Sequence, residues 1–196
     1  PTLTLDALYP VLFRLWEDRL LVSPDDVDAS PVESTFMPGE VVAGTYTVIR
    51  NVQALIDTEV HVASARDGQF VALKVARSGD GGIMSRLEHE AAVLRRLGAA
   101  PVARLIALTT HGDRAVLVTE WINGLDVGAQ ARNLRRAASD GDDQARHELL
   151  AVCHALADAV GAVHSLGLVH GDLSPHNALV DTAGTVLLVD FGLARD

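Results

Sequence analysis

The chain of 196 residues is short of several residue types that carry whole classes of function. Its only cysteine is Cys153, which excludes an internal disulfide framework and Cys-x-x-Cys zinc sites. Aromatic residues make up 4%, too few for base-stacking platforms. A net charge of −10 argues against a nucleic-acid partner, which selects for a basic face. The small Arg132, Arg135, Arg136 cluster reads as a solvated helix face. No apolar run approaches the roughly 18–20 residues of a membrane span. No basic stretch followed by an apolar one suggests a signal peptide. The expectation is a cytoplasmic protein with no membrane association. Lysine is scarcest among the charged types. Of 16 basic residues, 15 are Arg and one is Lys74. A compact ammonium on a flexible stem is thus placed once, in a chain that otherwise uses the planar guanidinium.

What is present is ordinary for a folded domain: 48% apolar and 21% charged residues. Leu5, Leu8, Leu12 and Leu15 predict a helix that leads into Leu20-Leu21-Val22. Residues 23–39 hold three of the seven prolines and read as a linker. Residues 41–75 read as strands, with a turn at Arg66-Asp67-Gly68-Gln69 before Phe70 to Val75. Ile83 to Leu97 is helical and stops at Gly98 and Pro101. A hairpin spans Leu105 to Thr119, and Asn123-Gly124 breaks the chain. A long helix covers Ala145 to Leu166, with Leu149, Cys153, Leu156, Val160 and Val163 as its expected buried stripe. Short strands follow at Leu168-Val169, Ala178 to Val180 and Val186 to Val189. The expected fold class is α+β. A β-rich half with one helix precedes a helix-led half.

Four pieces of this scaffold carry chemistry: Val71-Ala72-Leu73-Lys74 on a strand, Glu90 on the next helix, His170-Gly171-Asp172-Leu173-Ser174-Pro175-His176-Asn177, and Asp190-Phe191-Gly192. Transfer of a phosphoryl group needs a cation held by a carboxylate and acidic ligands for Mg²⁺. It also needs a carboxylate within reach of the acceptor hydroxyl. Of the two helix glutamates, Glu90 lies on the apolar face. With Leu87 at zero, Glu90 falls at about 300°, Leu94 at about 340° and Ala91 at about 40° on a helical wheel. A glutamate there needs a partner, and Lys74 is one. No GxxxxGK motif precedes Lys74, which excludes a P-loop NTPase. His89-Glu90 and His147-Glu148 lack the second histidine of a zincin.

These motifs, in this order and spacing, resemble the protein-kinase superfamily over residues 40–196. The resemblance implies a bilobal protein-kinase-like fold. A small lobe with its hinge would span residues 40–123. The first part of the large lobe would span 124–196, after an N-terminal extension over 1–39. It implies ATP and Mg²⁺ as cofactors, with Lys74 on the α- and β-phosphates and Glu90 holding Lys74. Asp172 would accept the hydroxyl proton, and Asn177 and Asp190 would bind Mg²⁺. Val60 and Ala72 would bound the nucleotide, and the backbone of Glu120 and Ile122 would meet the adenine beside Thr119. His170 would be structural, stacked with Leu94 and Phe191. The implied acceptor is a protein or peptide Ser/Thr hydroxyl. The chain ends four residues past Gly192. The rest of the large lobe is expected from the same or another chain.

Three departures qualify the match. The GxGxxGxV window falls on Gln53-Ala54-Leu55-Ile56-Asp57-Thr58-Glu59-Val60, where only the valine agrees. Asp57 or Glu59 beside phosphates would be unfavourable unless it points away. The catalytic loop reads His-Gly-Asp, without the arginine that commonly pairs with an activation-segment phosphate. Ser174 replaces a lysine, so the loop is similar to aminoglycoside and choline-type phosphotransferases and to the kinase domains of lanthipeptide synthetases. Two alternatives therefore stand: a small-molecule phosphotransferase, and a pseudokinase acting as a regulatory nucleotide-binding module.

Overall fold

The computed structural model describes residues 32–196. The helix expected over residues 1–22, and residues 23–31 of the linker, lie outside them. Six strands form one antiparallel sheet: β1 (Val41–Val42), β2 (Tyr46–Ala54), β3 (Thr58–Ser64), β4 (Phe70–Ala76), β5 (Leu105–His111) and β6 (Arg114–Glu120). Their order is β1-β2-β3-β4-β6-β5. Helix α1 (Gly81–Leu97) connects β4 to β5. A second, three-stranded sheet of β7 (Gly124–Asp126), β8 (Ala178–Asp181) and β9 (Val186–Leu188) lies beyond it, with α2 (Val127–Ser139) and α3 (Asp143–Ser165) between β7 and β8. This is the expected α+β arrangement, a β-rich half with one helix followed by a helix-led half.

Strand register decides which residues share a face, because side chains alternate along a strand. Val60 pairs with Lys74, which pairs with Leu117. In the next row on that face, Val62 pairs with Ala72 and Ala72 with Thr119. The other face carries Glu59, His61 and Ala63 against Val75, Leu73 and Val71. That second face closes over an apolar cluster that includes Phe36, Val48, Val116 and Val118. One sheet face thus builds a core, while the other turns Lys74 toward the second sheet.

The helices start where a side chain can cap them. Asp80 accepts from the N–H groups of Gly82 and Ile83, so α1 begins two residues before the apolar repeat suggests. Asp126 and Asp142 cap α2 and α3 in the same way. Helix α2 is not among the elements expected from the sequence, because only Leu134 on it is buried. Its Arg132, Arg135 and Arg136 lie outside that buried position, in keeping with a solvated face.

Helix α3 corrects one expectation. Cys153 is exposed, while Val163 is buried and Leu149, Leu156 and Val160 pack partly buried against the core, as expected; Ala145, Val152 and Ala159 complete the buried positions. The packed side is the expected face turned toward Val152 and Ala159, which leaves Cys153 at its exposed edge. Leu150 lies on the open side, 59% exposed. Leu168-Val169 is not a regular strand, since Val169 makes only an isolated bridge with Arg195. None of the described helices is long and apolar enough to cross a membrane.

Under the core face sits a buried carboxylate–imidazole pair. Glu59 and His61 are both fully buried, with His61 Nε2 3.3 Å from Glu59 Oε2. The Thr35 N–H donates to Glu59 at 2.9 Å, the Ser34 hydroxyl donates at 3.2 Å, and the Thr35 hydroxyl donates to the other carboxylate oxygen. Arg77 and Arg114 stand 3.7 Å away. Burial alone would raise the Glu59 carboxyl, but these donors and His61 hold it below its ordinary range. Burial pushes the His61 imidazole down, against the pull of Glu59. Both groups therefore favour the fold above their ordinary values and withdraw that support as pH falls. We expect stability to drop as pH falls below His61's ordinary 6.5, with a second decline below Glu59's ordinary 4.5. A His61→Gln variant, melted across this range, should lose the first decline and keep the second. An unchanged upper decline would place its origin elsewhere.

Candidate functional site

The cleft between the two sheets has a volume of about 350 Å³. Its sheet side is the face that carries Val60, Ala72, Lys74, Leu117 and Thr119, and the β2 arm adds Val52 and Gln53. Its far side holds Asn177, Leu179, Val189 and Asp190. The connecting segment Glu120–Ile122 closes one end. The Glu120 carboxylate is engaged by the chain itself. It accepts from the Arg104 N–H at 2.9 Å, and the Glu120 N–H donates in return to the Arg104 carbonyl at 2.9 Å.

Lys74 is the electrostatic centre. Its Nζ donates to Glu90 Oε2 at 2.8 Å and to Asp190 Oδ1 at 2.6 Å. Burial disfavours the ammonium, but the two carboxylates outweigh it and hold the Lys74 pKa above its ordinary value. Glu90 is 3% exposed. Burial raises its carboxyl, and the neighbouring Asp190 charge adds to the rise against the pull of Lys74. Its second oxygen accepts from the Phe191 N–H at 3.2 Å. One glutamate on α1 therefore grips the sheet through Lys74 and the far side of the cleft through Phe191.

Phe191 is fully buried, with its ring 4.5 Å from His170. His170 Nε2 meets the Val189 carbonyl at 2.9 Å. Leu94 is buried in the same cluster as Phe191. His170 thus packs and hydrogen-bonds the strand exit and does not line the cleft, as expected. Asp190 sits at φ 64, a left-handed conformation that L-residues seldom adopt. That backbone turn brings its carboxylate to Lys74 while the next residue points into the core.

Asp172 does not line the cleft but is one hydrogen bond from it. Asn177 Nδ2 donates to Asp172 Oδ2 at 3.1 Å and to the Asp172 carbonyl at 2.8 Å. With its nitrogen spent on Asp172, Asn177 keeps its amide oxygen for a cation. A carboxylate and an amide oxygen, beside room for phosphate oxygens and water, suit Mg²⁺. The donor set of Asn177 and Asp190 therefore fits that ion.

The acidic turn resolves in the favourable sense. Asp57 Oδ2 pairs with Arg86 of α1 at 2.5 Å, and Glu59 lies on the opposite sheet face. Asp126 is a cleft residue that the motifs do not single out. It caps α2, lines the cleft, and places Oδ1 3.9 Å from His176 Nδ1. A capping residue straight after Asn123-Gly124-Leu125 is the available signal, but it requires α2 to be recognised first. Gly124 is forced by contact, since a Cβ there would lie 1.9 Å from the Val180 carbonyl oxygen.

Comparisons with known proteins agree with this geometry. The family model for protein tyrosine and serine/threonine kinases matches residues 38–196. Serine/threonine-protein kinase PknL of Mycobacterium tuberculosis is 29% identical over 176 residues, covering 87% of this chain and 40% of that protein. CBL-interacting protein kinase 20 of Oryza sativa is 31% identical over 157 residues, covering 77% and 31%. A crystal structure of a kinase domain superposes with a TM-score of 0.67 at 19% identity, over 84% of this chain and 55% of that one, and so shares the fold. The chain spans less than half the length of these two relatives. A family match over residues 38–196, with its motifs gathered around one cleft, means that this chain belongs to the protein tyrosine and serine/threonine kinase family.

Proposed function

We propose that the chain forms the nucleotide site and catalytic loop of a kinase that moves the γ-phosphoryl group of Mg·ATP to a Ser or Thr hydroxyl of a protein. The observation that carries this reading is the Lys74 ammonium, held between Glu90 and Asp190 at 2.8 and 2.6 Å. A fixed cation beside a metal-competent carboxylate is what a polyphosphate requires. Lys74 would bind the α- and β-phosphates and Glu90 would orient Lys74. Val60 and Ala72 would enclose the base, and the backbone of Glu120 and Ile122 would meet its edge. Asn177 and Asp190 would hold Mg²⁺, which when bound neutralises charge on the phosphate oxygens. Asp172, oriented by Asn177, would accept the acceptor's hydroxyl proton.

Relatives named as serine/threonine kinases support a protein acceptor over a small molecule. The intact Lys74, Glu90, Asp172, Asn177 and Asp190 support an active site over a pseudokinase. The sequence boundaries 40–123 and 124–196 are proposed as the small lobe with hinge and the first part of the large lobe. Exposed Leu150, Leu166, Leu173 and Leu193 support a further polypeptide segment, in the same or another chain, packing on the second half.

Calorimetric titration of Mg·ATP into the chain and into Asp190→Asn tests the reading. Saturable, Mg²⁺-dependent binding that weakens at least about tenfold in the variant is expected. Absence of binding, or binding indifferent to both Mg²⁺ and Asp190, would sink it.

A further inference from the structure

The β2–β3 hairpin covers the cleft without the glycines that usually let backbone approach phosphate. Val52, Gln53 and Val60 line the cleft from its two arms. Its turn closes with the Leu55 N–H donating to the Thr58 carbonyl at 2.8 Å. Two attachments then hold the tip. The Asp57 carbonyl accepts from the Arg77 N–H at 2.9 Å. The Asp57 carboxylate pairs with Arg86 at 2.5 Å. Arg86 lies one turn before Glu90 on α1, and residues at that spacing are neighbours on a helix surface. The helix that orients Lys74 therefore also holds the hairpin tip. Without the pair, the Asp57 carboxylate at the tip of the cover would keep only the Thr58 hydroxyl, 3.5 Å away.

We propose that Arg86 is a positioning residue for nucleotide binding. By pairing with Asp57 it ties the covering hairpin to the helix that carries Glu90, and it keeps the Asp57 charge away from the triphosphate. This inference rests on reading the cleft as an ATP site. It assigns to an ion pair the part that glycine flexibility plays in a mobile loop.

The test has two independent readouts on the full chain. Hydrogen exchange without nucleotide reports the tether itself. Amides of residues 53–58 should exchange faster in Arg86→Ala and in Asp57→Asn than in the wild type. Steady-state kinetics reports its use. For a half-exposed ion pair of modest strength, KM for ATP should rise about three- to fivefold in Arg86→Ala, with kcat within about twofold. Asp57→Asn loses the tether but also the repulsive charge, so its KM should rise less than in Arg86→Ala. Arg86→Lys keeps the charge and should stay within about twofold of the wild type. Equal exchange in all variants overturns the tether. An unchanged KM, or equal rises in Arg86→Ala and Asp57→Asn, overturns the role in nucleotide binding. A wild type that binds no ATP would defeat the kinase reading, and hydrogen exchange would still decide whether the tether exists.

Discussion

Replacing Lys74 by Met should cut phosphoryl transfer at least about 10²–10³-fold, the usual cost of removing one preorganised charge-stabilising donor. The structure adds a second consequence. Glu90 is buried and gives one oxygen to Lys74 and the other to the Phe191 N–H. Without the ammonium, its carboxylate keeps one partner and faces Asp190 uncompensated. An unpaired buried charge costs several kcal/mol, so Glu90 will take up a proton. Its folded pKa, already raised, then rises further. A group with a raised folded pKa supports the fold at low pH and loses that support as pH rises through the folded value. The Lys74→Met variant should therefore lose thermal stability relative to wild type progressively as pH rises above Glu90's ordinary 4.5. Lys74→Met/Glu90→Gln should recover the melting temperature and remain inactive. Near-normal transfer in Lys74→Met would refute the role of the lysine. A pH-independent stability difference would refute the account of Glu90.

Gly171→Ala should be among the most damaging single-methyl additions in the chain. Gly171 has φ +81, and a Cβ there would lie 2.0 Å from the Leu193 carbonyl oxygen and 2.7 Å from its carbon. Both are backbone atoms and cannot rotate aside. Left-handed strain costs about 1–3 kcal/mol, and overpacking typically costs about another 1–3 kcal/mol. For a chain of this size the melting temperature should fall by on the order of 5 °C or more. Gly184→Ala is the control. It has φ +85 and nothing within 4 Å of where its methyl would stand, so it carries the strain without the clash. Activity should suffer with stability, because Leu193 lies just beyond Asp190-Phe191-Gly192. An equal, small loss in both variants would show that the close approach to Leu193 is not rigid. The same contact explains why the catalytic loop reads His-Gly-Asp. Any side chain at position 171, the arginine common in the family included, would meet the Leu193 backbone.

The site's principal groups are legible in the sequence because each is tied to a short local signal. Lys74 interrupts an apolar strand. Glu90 falls on the helix face that Leu87, Ala91 and Leu94 define. Asp190 follows a β-run. What cannot be read there depends on partners far along the chain. The favourable orientation of Asp57 needs Arg86, and the burial of Glu59 needs Ser34 and Thr35. Nothing in the acidic turn itself discloses either. The packed face of α3 keeps Leu149, Leu156, Val160 and Val163 as expected and differs at its edge, where the contacts show that Val152, and not Cys153, faces inward. Helix α2 escapes detection for the opposite reason, since a single buried leucine gives periodicity nothing to repeat.

The solitary lysine makes the cleft chemically addressable. A reagent that acylates lysine side chains has one target here, and it lies within the cleft. Clamped by two carboxylates, that amine stays protonated and is a poor nucleophile toward reagents arriving from bulk solvent. An acyl group carried in on a nucleotide's phosphate end would reach it at high local concentration. Labelling at Lys74 would then report occupancy of the cleft rather than general surface reactivity.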